Sequence, residues 1–193
     1  MIARSLIAMS IALASVGAQA ATTVFEDNFD ANALSISNPT PIGWTVSNGS
    51  VDVIGQPAFY DLEPGNGRYI DLDGSSSNAG ELTKSLAFNA GWLYTATFSL
   101  AGSNRSSTEI VDVTFGTTTA TYTLLATDPF ATYSLTFAPA ASGVFNLTFA
   151  NRGGDNIGAL LDNVKVTAVP EPGSLALVLA GLGVVGFAAR RRF

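Results

Sequence analysis

Fourteen Asp and Glu residues lie between Ala21 and Val169, and the chain contains no His and no Cys. Such a set provides no Ser–His–Asp triad, no cysteine nucleophile, no His- or Cys-ligated zinc or haem, and no disulfide. Its carboxylates can ligate a hard cation through oxygen, or act as the acid–base pair of a glycosidase. Asp71 and Asp73 are two apart, so on a strand both face one side. Their like charges need a cation, Arg68 or the amide groups of a turn to offset them, and an Asx-turn into Gly74-Ser75 is the preferred reading. Glu26, Glu63, Glu81 and Glu109 are the glutamates open to acid–base work, and no motif surrounds any of them. There is no Gly-x-Ser-x-Gly elbow and no phosphate-cradling loop; Gly153-Gly154 reads as a turn. The expectation is therefore a protein that is not an enzyme.

Sugar recognition would use aromatic faces beside planar polar groups. Trp44, Trp92, Phe59, Tyr60 and Phe130 are the aromatic candidates. Trp44 opens a strand after a glycine and is expected in the core. Phe59 and Tyr60, in a loop flanked by Pro and Gly, are the expected exposed pair, and Trp92, beside the turn Asn89-Ala90-Gly91, is an expected rim residue. The full chain carries 15 Asp and Glu against nine Lys and Arg, a formal charge of −6. Five of those cations and 14 of those acids belong to residues 21–169, leaving that stretch at −9. Such a balance lacks the basic footprint of a nucleic-acid binder.

The elements that must position these groups are strands. Tyr94, Ala96, Phe98 and Leu100 alternate with Thr95, Thr97 and Ser99, and the same period of two runs through 111–115, 133–137 and 145–149. Further strands are predicted over 44–47, 50–54, 68–71, 81–88, 118–125 and 160–167. Asn48-Gly49, Pro64-Gly65-Asn66-Gly67 and Gly102-Ser103-Asn104 supply turn chemistry between them. About ten short strands at this spacing predict one all-β domain, residues 21–169: an antiparallel β-sandwich, most simply a jelly roll.

The ends are built differently. Residues 1–20 hold one cation, Arg4, an apolar stretch and Ala18-Gln19-Ala20, which predicts a signal helix cleaved between Ala20 and Ala21 and export of the mature chain. Residues 170–193 begin with Pro170-Glu171-Pro172, continue in an apolar run from Gly173 to Ala189 and end with Arg190, Arg191 and Arg192 ahead of Phe193. That run would make a helix of roughly 25 Å, at the short limit for a transmembrane helix. The arginine cluster would stop on the cytoplasmic side and leave the domain outside.

Pro-Glu-Pro, a short apolar helix and a terminal arginine cluster, in that order, resemble the PEP-CTERM sorting signal of Gram-negative bacteria that make extracellular polysaccharide. The resemblance implies a partner, exosortase, a membrane cysteine transpeptidase that recognises the tripeptide and transfers the protein from the inner membrane to the cell surface or beyond. Within the domain, Gly43-Trp44-Thr45-Val46, Gly49-Ser50-Val51-Asp52-Val53-Ile54, Gly67-Arg68-Tyr69-Ile70-Asp71-Leu72-Asp73-Gly74 and Leu161-Asp162-Asn163-Val164 resemble a galactose-binding-like jelly-roll family. That family includes plant cell-wall proteins and bacterial secreted proteins with varied surface anchors, and is similar to jelly-roll carbohydrate-binding modules. The resemblance implies a structural calcium joining the first strand to the last through Asp30 and Asp162, with Asp27 or Glu26 as substitutes. The expected function is an exported, exosortase-sorted protein that binds extracellular polysaccharide or cell-surface glycan, or plays a structural part in a biofilm matrix. The alternatives are a glycan-acting hydrolase of low activity and a coat protein without a ligand.

Overall fold

The computed structural model describes residues 20–36, 39–56, 60–171, 173, 181–185 and 190. The strands are β1 (Thr22–Asp27), β2 (Thr45–Ser47), β3 (Asp52–Gly55), β4 (Arg68–Asp71), β5 (Glu81–Phe88) and β6 (Trp92–Ala101). They continue with β7 (Glu109–Phe115), β8 (Thr118–Leu124), β9 (Ala131–Phe137), β10 (Gly143–Asn151) and β11 (Leu160–Pro170). One sheet has the order β3-β4-β11-β6-β9, with β1 also paired to β11; the other has the order β2-β5-β10-β7-β8. The named strand pairings are all antiparallel, so the predicted sandwich is the observed fold. The N-terminal signal helix lies outside the described residues, as does most of the C-terminal apolar run. Among the described residues no helix is long and apolar enough to cross a membrane.

Period two is what the sheets obey. Along β7 the buried and half-buried positions alternate strictly, and Val111, Val113 and Phe115 are fully buried. On the solvent side of the same sheet, hydroxyl groups pair across strands: Thr83 Oγ1 with Thr148 Oγ1 at 3.0 Å, and Thr114 Oγ1 with Thr119 Oγ1 at 3.0 Å. The core between the sheets is aromatic. Trp44 packs against Phe25, Phe29 and Phe149 at centroid separations of 5.7, 5.7 and 6.2 Å, and Phe88 stacks on Tyr94 at 3.9 Å. Trp44 is thus a core residue, as expected, and its indole nitrogen donates to Asp27 Oδ2 at 2.8 Å.

Two features of the fold differ from the sequence expectation, and a third adds to it; all matter for function. No strand is predicted at Thr22–Asp27, yet β1 closes one side of β11 there. The last strand does not stop at Thr167 but continues through Pro170, which pairs with Trp92. Loops 102–104 and 125–128 are laced by Gly102 N to Asp128 O at 2.9 Å and Asn104 N to Ala126 O at 2.8 Å. Any Cβ at Gly102 would overlap the Leu125 and Ala126 carbonyls, so the close approach requires glycine.

Candidate functional site

Strand alternation puts Val53, Ile70 and Leu72 into the main core and turns Asp52, Ile54, Tyr69 and Asp71 to the opposite face. In the β3–β4 register Asp52 stands opposite Asp71, and Ile54 opposite Tyr69. A small second core forms on this face from Ile54, Tyr69, Ala101 and Leu160, covered by Leu62 and Phe130 from two loops. The loops are fastened to it. Tyr69 meets the Phe130 ring edge-on at 5.6 Å, accepts from Glu63 N at 2.8 Å and donates to Asp61 Oδ1 at 3.1 Å. Burial is the main reason its hydroxyl is pushed up to about 12. Asn104 Nδ2 adds bonds to Leu62 O at 2.9 Å and Glu63 Oε1 at 2.7 Å.

Between these loops opens a cleft of about 200 Å³ lined by Asp52, Tyr60, Asp71, Ser75, Arg105 and Asn156 among others. Its polar floor is fixed. Arg105 Nη2 is hydrogen-bonded to Asp71 Oδ2, and Arg105 Nη1 donates to Asn156 O at 2.7 Å. Asp71 Oδ1 accepts from Asp73 N at 3.1 Å; Asp52 Oδ2 accepts from Ser75 N at 3.1 Å and from its hydroxyl at 2.5 Å. Burial pushes the Asp71 carboxyl up to about 7; Arg105 opposes the shift and the Asp52 charge adds to it. The Asp73 carboxyl is also raised by burial, and its Oδ2 accepts from Asp155 N at 3.2 Å. The like charges of Asp71 and Asp73 are therefore offset by Arg105 and by turn amides, not by Arg68. Arg68 is engaged elsewhere: its backbone N donates to Asp30 Oδ1 at 2.8 Å and its guanidinium to the Asp30 and Asn32 carbonyls. With rigid acceptors, one guanidinium donor and the ring of Tyr60, which is 45% exposed, the cleft has the chemistry to hold a small polyhydroxylated ligand.

Of the aromatic candidates, Tyr60 and Trp92 are not brought together. Tyr60 lines the cleft, Phe59 lies outside the described residues, and Trp92 sits at the opposite end of the sandwich. Leu160 pairs with both Asp71 and Ala101, so the cleft is level with the last residue of β6, whereas Trp92 is its first. Nine residue steps along a strand span roughly 30 Å. The four glutamates are dispersed: Glu26 pairs with Lys165, Glu109 accepts from Asn151 Nδ2, Glu63 accepts from Asn104, and Glu81 is on β5.

Asp27, Asp30 and Asp162 lie close enough that the first two charges raise the carboxyl of the third. Asp162 is 2% exposed, at a bulge in the β11–β6 pairing where Asn163 adopts φ of 50°. Burial is the largest influence pushing its carboxyl up to about 7. Its oxygens accept from Asn163 N at 2.6 Å and Asn163 Nδ2 at 2.9 Å, neither a cation. Asp27 Oδ1 accepts from Phe29 N and Asp30 Oδ2 from Asn28 Nδ2. The donor set is all hard oxygen and carries more negative than positive charge, which fits calcium in kind. Among the described residues no group of three or more acids converges on a metal-sized point.

At the chain ends, Ala20 and Ala21 are exposed ahead of β1. Pro170 is the last residue of β11, and Glu171 N donates to Gly91 O at 2.9 Å. Two of the three tripeptide residues are thus tied to the domain's own sheet. Pro172, Arg191 and Arg192 lie outside the described residues; Arg190 is described and exposed.

The fold resembles solved domains at low sequence identity. One is the CBM22-1 xylan-binding domain from Paenibacillus barcinonensis Xyn10C, 16% identical, with a TM-score of 0.50 over 79% of this chain and 98% of that one. Another is a cleaved adhesin domain of Lys-gingipain from Porphyromonas gingivalis, 11% identical, with a TM-score of 0.53 over 75% of this chain and 97% of that one. No curated protein matches the sequence. The PEP-CTERM protein-sorting motif matches residues 168–192, so the signal read from the tail is present. Residues 18–167 match the family described as protein of unknown function (DUF642), and the chain belongs to that family.

Proposed function

We propose that this is an exported glycan-binding domain whose tail hands it to exosortase, with the cleft beside Tyr60 as the sugar site. One observation carries the binding reading: an exposed tyrosine shares a cleft with two buried carboxylates and an arginine held in fixed positions. Sugar hydroxyls donate to carboxylates and accept from guanidinium, and the tyrosine ring covers an apolar sugar face. The fold shared with a xylan-binding domain supports the same reading. The bound glycan is extracellular polysaccharide or cell-surface glycan, and the protein acts by presenting its domain in that matrix. On immobilised neutral and acidic polysaccharides, the purified chain is expected to be retained on at least one. Tyr60→Ala should weaken that retention about tenfold while leaving the melting temperature within about 2 °C, since an exposed side chain contributes little to stability. Retention on none of the panel would remove the reading.

For sorting, the tripeptide's own geometry supports recognition as an extended strip, since Pro170 ends a strand and Glu171 bonds to Gly91. Alanines in place of Pro170, Glu171 and Pro172 are expected to leave the protein in the inner membrane fraction, and unchanged release would sink the claim. We also propose a structural calcium held by Asp30 and Asp162 with help from Asp27, neutralising the buried Asp162 carboxylate and the two charges beside it.

A further inference from the structure

Charge is distributed unevenly along the sandwich. At the end where the chain leaves the domain, residues 20–24, 86–95, 115–119, 137–145 and 166–170 contain no Asp, Glu, Lys or Arg, and Glu171, bonded to Gly91, is the charge that follows them. These stretches form the termini of β1 and β11 and the turns after β5, β7 and β9. The cleft, Asp73, Glu109, Asp128 and Asp155 lie toward the other end. A domain of −9 is repelled by an anionic surface from most directions, and this end, with Glu171 as its nearby charge, is where that repulsion is weakest.

The same end exposes apolar side chains. Val144 is 70% exposed, Leu93 40% and Val24 39%, while Trp92 is half-buried against the main core and paired with Pro170. A tryptophan with one apolar side supported by protein and the other facing out suits the headgroup level of a bilayer. The chain also leaves no room for a spacer. Glu171 is hydrogen-bonded to Gly91, and only Pro172 separates it from Gly173, where the apolar run begins. Two residue steps reach about 7 Å, comparable to the depth of one headgroup layer.

We propose that, before processing, this charge-poor end seats on the lipid headgroup–acyl boundary of the membrane that holds the chain's own C-terminal segment, with Trp92, Leu93 and Val144 in contact with lipid and Glu171 at headgroup level. This rests on the sorting reading above. The seat holds the Pro-Glu-Pro strip at the membrane surface and turns the Tyr60 cleft, some 30 Å away along β6, outward.

The absence of Cys makes the test direct, because a single introduced thiol carries an environment-sensitive fluorophore without background. Full-length chains bearing Leu93→Cys, Val144→Cys, Asp155→Cys or Leu182→Cys are labelled and reconstituted into phosphatidylethanolamine–phosphatidylglycerol vesicles. The labels at 93, 144 and 182 are expected to be blue-shifted, quenched by lipid-borne nitroxide and several-fold less quenched by aqueous iodide than the label at 155. If 182 is lipid-protected while 93 and 144 match 155, the seat is wrong and the sorting reading stands. If 182 is itself exposed to iodide, the membrane reading of the tail fails and takes the seat with it.

Discussion

Arg105→Met is expected to destabilise the domain by roughly 2–3 kcal/mol at about pH 8 and by much less at about pH 5. Arg105 is the cation on Asp71, whose side chain is 5% exposed, and removing it leaves a buried carboxylate facing Asp52 across the β3–β4 pair. The figure lies below the usual cost of orphaning a buried ion because a third of the Arg105 side chain reaches solvent. The pH dependence comes from Asp71. Its folded-state value of about 7 is above the ordinary 3.8, so the folded state holds a proton that the unfolded chain has released. That contribution is complete below about pH 4 and is lost as pH rises through about 7. At the lower pH Asp71 is neutral and needs no partner; at the higher it is charged, and the variant offers none. Urea midpoints at both pH values check this, and an equal loss at both would show that the arginine acts by packing alone. Asp71→Asn in the same background should flatten the difference.

This pair also marks where sequence reading stops. Period two locates the interior strands with ends off by at most three residues, because burial of alternate side chains is a local pattern. Arg68–Asp71 and Glu81–Phe88 are recovered to the residue. Thr22–Asp27 has no clean alternation and comes after an apolar leader, and it is a strand only because β11 offers it a partner. Pro170 reads in sequence as the first residue of the sorting signal, outside the domain. As the final residue of a strand a proline interrupts little of the ladder, and tertiary pairing with Trp92 overrides its reputation as a breaker.

The candidate site is legible in its parts and not in its assembly. Asp71-x-Asp73 announces a need for neutralisation, and the sequence offers five cations in the domain to supply it. Arg68 is nearest in sequence, but its guanidinium is held by the Asp30 and Asn32 carbonyls, whereas Arg105 arrives from a loop 34 residues after Asp71. Asp52 carries no signal of its own, since its meaning comes from standing opposite Asp71, which only register supplies. Tyr60 and Trp92 are both selected by turn chemistry, a local property, and the antiparallel path of β6 places them at opposite ends.

Calcium at about 100 times its dissociation constant is expected to stabilise the chain by about 2.7 kcal/mol at about pH 8, raising the melting temperature by roughly 5–10 °C. Without the ion the domain carries a buried acid beside two others. Asp162 is 2% exposed and faces the charges of Asp27 and Asp30, with its carboxyl pushed up to about 7. A carboxyl raised in the folded state favours folding below about pH 4, where it is protonated in both states, and penalises it as pH climbs through about 7. At about 1.4 kcal/mol per pKa unit the full penalty is on the order of 4 kcal/mol, with the opposing hydrogen bond from Asn163 already included in that value. A divalent ion shared by Asp30 and Asp162 would substitute for that proton, so its effect should grow with pH and vanish near pH 4. Asp162→Asn separates the ion from the proton: it removes the buried charge, so the variant should melt higher than the parent in chelator at about pH 8 and show no response to calcium. A parent chain that melts at one temperature in calcium and in chelator would leave Asp162 as a buried acid that is protonated near neutrality, and the domain without a structural metal.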